Sequence, residues 1–141
     1  MTQSTPPPLR VVRLPGSQVA RPGWFEPDSR YVQEVWLPLV GPAAFIVWRI
    51  LAELVGGARG GVITSLEEIA ESTGLGSAAG NQTGVARCLR RMARFGLAWC
   101  QTGDLVVVRC SLPPVAGRFL ALLPPTVRER HTQLLAGDAE D

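Results

Sequence analysis

The chain has 141 residues, 46% of them hydrophobic, and a formal net charge of +2. That is enough apolar material for one compact domain with extensions, and the near-neutral balance excludes a protein that holds a polyanion by bulk charge, so any basic function must come from where the charge is placed. All 14 basic residues are arginine, and the three cysteines, Cys88, Cys100 and Cys110, lack metal-ligand spacing with a single histidine to help them, so no metal and no other cofactor is expected and the thiols suit a reducing cytoplasm.

Residues 1–27 are proline-rich and hold Arg10, Arg13 and Arg21 against the lone acid Glu26. No basic-then-apolar leader pattern opens the chain. Such a composition reads as a flexible arm, whose L-R-V-V-R-L core (residues 9–14) has the choice of pairing as an edge strand, docking on a partner or entering a minor groove. Asp28 or Ser29 is positioned to cap a helix through about Val40, after which Gly41-Pro42 breaks the chain and opens a second helix. From Ala43 to Val55 that helix is apolar on nearly every face. A membrane span is the weakest explanation, because the window from Val35 to Val55 includes Pro38, Gly41, Pro42, Arg49 and Glu53. Internal burial explains part of the apolar surface, and a homodimer through residues 28–55 is the expectation for the remainder.

Gly56 to Gly61 reads as a flexible connector and lacks the Gly-Lys-Ser/Thr ending of a phosphate loop. Val62-Ile63-Thr64 is a short strand. Ser65 and Glu68 have the spacing of a capping box, so a helix should begin at Leu66, carry Ile69 and Ala70 inward, and end at Thr73-Gly74. A glycine-rich link follows, which cannot be a dinucleotide-binding turn because it leaves a helix and not a buried strand. In the next helix, with Val85 at zero, Cys88, Leu89, Met92, Ala93 and Phe95 fall on one arc, and Arg90, Arg94, Arg87 and Arg91 fall opposite at about 140°, 180°, 200° and 240°. No carboxylate lies between residues 72 and 103. Phe95-Gly96-Leu97 closes the helix. Leu97 to Gln101 and Leu105 to Arg109 then read as a hairpin around Thr102-Gly103-Asp104, and a two-residue Gly103-Asp104 loop would set Trp99 opposite Val108 and Leu97 opposite Cys110. Two short helices are expected near Val115 to Leu122 and Thr126 to Leu135, with His131 on an exposed face.

The order S-L-E-E-I-A-E-S-T-G-L-G, then V-A-R-C-L-R-R-M-A-R-F-G-L-A, then W-C-Q-T-G-D-L-V-V-V-R-C resembles the winged helix-turn-helix superfamily of bacterial DNA-binding domains. The resemblance implies a mainly α fold with a small antiparallel sheet (α+β): an arm at 1–27, the winged domain with an added N-terminal helix at 28–110, a helical extension at 111–135 and an acidic tail at 136–141. It also implies double-stranded DNA as partner. Arg87, Arg90, Arg91 and Arg94 would meet phosphates or guanine edges, Asn81, Gln82 and Thr83 the groove, and Arg109 the backbone beside the wing. The link between the two helices is longer than the superfamily's usual turn, which leaves open where the second helix begins. The implied function is a non-enzymatic, site-specific transcriptional regulator or DNA-organising factor. Two alternatives stay open: a winged-helix protein-interaction or assembly module, which could engage a protein partner, and a plasmid-type replication or maintenance protein. No nucleophile-base pattern suggests an enzyme, and the one carboxylate cluster, Glu67, Glu68 and Glu71, is explained by the helix dipole and solvation.

Overall fold

A computed structural model describes residues 8–14, 23–57, 60–75 and 79–137, with the side chains of 79–83 outside that description. The elements run β1 (Leu9–Arg13), a π-helical turn (Val32–Trp36) continuing into α1 (Leu37–Val40), α2 (Pro42–Gly56), β2 (Val62–Thr64), α3 (Leu66–Thr73), α4 (Ala79–Phe95), β3 (Ala98–Thr102), β4 (Leu105–Val108), α5 (Gly117–Leu120) and α6 (Pro125–Gly137). The architecture is α+β.

The four strands are ordered β2-β1-β4-β3, so the first strand of the chain lies inside the sheet. It pairs antiparallel with β2 and parallel with β4, which makes the sheet mixed and not the expected antiparallel one. This also corrects the reading of residues 9–13 as part of a flexible arm or an edge strand. Leu9 and Val11 point into the core, while Arg10 and Arg13, expected to be free for a partner, bind the Gly60 carbonyl at 3.3 Å and the Gly56 carbonyl at 3.4 Å. The glycine connector is therefore tied down at its described ends. Gly61, at φ +93°, sits so close to β1 that a Cβ would be 2.8 Å from the Val11 carbonyl oxygen, so glycine is required there by contact as well as by backbone conformation. Residues 1–7 and 15–22, Arg21 included, lie outside the described residues, as do residues 138–141 of the acidic tail.

The first helical segment is capped as expected, Ser29 Oγ accepting the Val32 amide at 3.3 Å. Its wide π turn has a local cause. Pro38 lacks an amide and its ring would crowd the carbonyl four residues back; a turn closed from the Leu37 amide to the Val32 carbonyl relieves that crowding. The surface of α2 that suggested a dimer is largely consumed within the chain. Phe45, Val47, Trp48, Leu51, Ala52 and Val55 are buried together with Val32, Val35, Trp36 and Leu39, leaving Ile46 and Leu54 as its exposed large apolar residues. Two buried indoles tie this layer to the strand exit, Trp48 Nε1 donating to the Arg109 carbonyl at 2.8 Å and Trp36 Nε1 to that of Pro113 at 2.9 Å. Among the described residues no helix is long and apolar enough to cross a membrane.

The helix α3 begins where the capping residue places it, Ser65 Oγ accepting the Glu68 amide at 3.1 Å, but the reciprocal half of the box is replaced: the Glu68 carboxylate accepts the Thr64 hydroxyl at 3.0 Å. Left-handed Gly74 ends it. The hairpin keeps the two-residue loop, with Thr102 paired to Leu105, yet an irregularity between Cys100 and Thr102 shifts the pairing, so Trp99 faces Val107 and Ala98 faces Val108. The expected partners, Trp99 with Val108 and Leu97 with Cys110, are one residue out for that reason. After the sheet, α6 packs on the π-helical turn. Tyr31 accepts the Val115 amide at 2.8 Å and contacts His131 Nδ1 at 2.7 Å, so His131 is half-buried against the first helix and not on an exposed face.

Candidate nucleic-acid interface

The helix α4 buries Val85, Cys88, Leu89, Met92 and Phe95, the arc its periodicity indicates, while Ala93 at the edge of that arc is exposed. The helix packs on α2, α3 and β3, which leaves its arginine flank outward. Arg87, Arg90, Arg91 and Arg94 are all exposed, and among the described residues none lies within ion-pair distance of a carboxylate. The helix starts at Ala79, so Asn81, Gln82 and Thr83 belong to its first turns; their side chains lie outside the described residues.

The four guanidinium groups do not act alike. Arg91 turns back onto the end of α1, its Nε donating to the Val40 carbonyl and its Nη2 to that of Leu39 at 3.3 Å. A helix ending at Gly41 leaves its last carbonyls without helical partners, and a guanidinium suits that negative end of the dipole. Arg91, expected to meet phosphates or guanine edges, is thus engaged at the end of a different helix. Arg87 lies beside it, on a recess of about 390 Å³ that the α1–α2 junction shares with Leu75 and Cys88. Arg90 faces the other way, towards the hairpin, on a recess of about 400 Å³ with Leu66, Leu89, Trp99 and Cys100. Arg94 closes the helix over the Phe95 ring at 5.2 Å and turns to α5.

Arg109 also departs from its expected role. Its guanidinium lies over the Trp24 ring at 5.1 Å and the Trp99 ring at 5.9 Å, half-buried between two aromatic faces, which opposes its assignment as a backbone contact beside the wing. Arg118, which helical periodicity gave no reason to single out, joins Arg94 and Arg109 around one recess; it stands alone among apolar neighbours in G-R-F-L, and its role comes from tertiary packing. Burial holds the Cys88 thiol above its ordinary pKa, against the lowering effect of Arg91, so it stays protonated at neutral pH. Among the described residues no group of three or more His, Cys, Asp or Glu could hold a metal ion.

No protein-family model, curated protein or solved structure matches the chain.

Proposed function

We propose that this is a DNA-binding protein of winged helix-turn-helix type, a non-enzymatic regulator or DNA-organising factor of the cytoplasm. The order α2–β2–α3–α4–β3–β4 supports that reading, with β1 as an added strand inside the sheet. The observation that carries it is the pair Arg87 and Arg90: exposed on α4, with no carboxylate at ion-pair distance among the described residues and no cap to make. In this reading the first turns of α4, with Asn81, Gln82 and Thr83, enter a major groove, and the two guanidiniums meet phosphates or guanine edges on either side. Arg94 adds charge at the far end, and Arg91 contributes by fixing the helix against α1.

The test is a fluorescence-anisotropy titration of random duplex at several salt concentrations. The Arg87→Gln/Arg90→Gln variant should bind more weakly, and its log–log salt slope should fall by about 0.9 per lost phosphate contact, roughly 2 in all. Binding indistinguishable from the parent at every salt concentration would falsify the assignment. One observation favours a second reading as an assembly module: Ile63, on the edge strand β2, is 65% exposed. The same titration separates the two, since a protein-interaction module leaves random duplex unbound at each salt concentration.

A further inference from the structure

Beyond the DNA face, we infer that the recess between the end of α4, the strand exit at Arg109 and α5 is a binding site for a phosphomonoester dianion. Its volume is about 270 Å³, and three arginines from three separate parts of the chain, Arg94, Arg109 and Arg118, line it together with Phe95 and Phe119. Among the described residues, no aspartate or glutamate lines it. Arg94 and Arg118 are both exposed, and neither lies within ion-pair distance of a carboxylate among the described residues.

The aromatic groups explain why this is more than a gathering of charge. Phe95 and Phe119 meet edge to face, their centroids 5.0 Å apart. Arg94 lies over the first ring at 5.2 Å and Arg118 over the second at 4.5 Å, so one aromatic pair holds both guanidiniums. A guanidinium resting on an aromatic ring has already given up part of its side-chain freedom, so it loses less when it donates to an oxyanion. Arg109, held over Trp24 and Trp99, adds a third positive charge at the wall. Arg94 and Arg118 bring two like charges to one hollow, and a dianion with three terminal oxygens relieves their repulsion where a water molecule does not. The hollow is large enough to admit a phosphate group. A phosphodiester in a duplex offers a single charge on a convex rod and fits the hollow less well. This site stands whether or not α4 binds DNA.

The test is thermal melting and calorimetric titration of the full chain with inorganic phosphate, pyrophosphate and the diester dimethyl phosphate, at constant ionic strength set with chloride. Phosphate and pyrophosphate should raise the melting temperature beyond matched chloride, and dimethyl phosphate should not. Arg118→Gln should weaken phosphate binding at least tenfold, with Arg118→Lys intermediate because it keeps the charge and loses the planar fork, while Arg87→Gln stays like the parent. The inference is overturned by a parent that responds to phosphate no more than to chloride, or by Arg87→Gln losing the response as fully as Arg118→Gln. Duplex affinity separates this claim from the DNA proposal: Arg118→Gln should remain within twofold of the parent. A tenfold loss would instead make the recess part of a nucleic-acid surface and sink the small-anion site.

Discussion

At the scale of single residues, neighbouring arginines with the same helical exposure divide into different roles. The angular position of Arg91 is correct in the sequence reading, but an arginine side chain is long, and periodicity says nothing about the carbonyl ends of another helix lying within its reach. Arg91 and Arg87 should therefore separate cleanly on mutation. Arg91→Ala leaves the Val40 and Leu39 carbonyls with one partner fewer and should cost about 1–3 kcal/mol of stability, whereas Arg87→Ala should stay within about 0.5 kcal/mol of the parent. Urea denaturation of both variants measures this. Arg91→Lys should recover part of the loss, since an ammonium restores the charge near the helix end without the two-point fork. Equal stability of the Arg87 and Arg91 alanine variants would mean that the α1 cap contributes nothing.

At the scale of elements, the legible features are those set by short-range rules. Ser65 fixes the start of α3, Gly74 its end, and the apolar arc of α4 survives with Ala93 as its exception. The register of the hairpin is not legible in the same way, because a single bulge residue beyond the loop moves every later pair by one, and no residue pattern announces it. The docking of α6 is likewise a product of tertiary structure. His131 read alone is a polar residue on a short helix; its partner Tyr31 is 100 residues away. Burial lowers the His131 pKa from its ordinary value of 6.5. The unfolded chain therefore binds the proton more readily, so the stabilisation is complete above about pH 6.5 and declines as pH falls from there towards the depressed folded value. The parent should lose stability on acidification through that window. His131→Gln should lack that component of the pH dependence, and a pH–stability profile that keeps the parent's slope there would place its source elsewhere. Tyr31→Phe should be less stable at all pH values, because the Val115 amide loses its acceptor.

At the scale of the whole molecule, β1 decides how the parts hold together. Residues 9–13 lie in a segment whose proline and arginine content suggests a solvated arm, and averaging over that window hides a five-residue strand whose Leu9 and Val11 face the core. Its partners are about 50 residues away in β2 and about 95 in β4, distances over which no local pattern has authority. With β1 in place, the hairpin and β2 form one sheet; without it, two lone edges would face each other across a gap. An arm and an interior strand make opposite predictions for Val11, which is fully buried. If the segment were an arm, Val11→Asp would leave stability intact and merely reduce its positive charge. As an interior strand it places an unpaired carboxylate in the core, which should destabilise by about 3 kcal/mol or more and expose the sheet to proteolysis. The control is Arg10→Ala with Arg13→Ala, which removes two positive charges and two exposed hydrogen bonds yet leaves the buried row unchanged, and should cost no more than about 1 kcal/mol. Chemical denaturation of the two variants beside the parent reads the difference directly: a stable Val11→Asp protein would remove β1 from the sheet and return residues 9–13 to the role of a free arm.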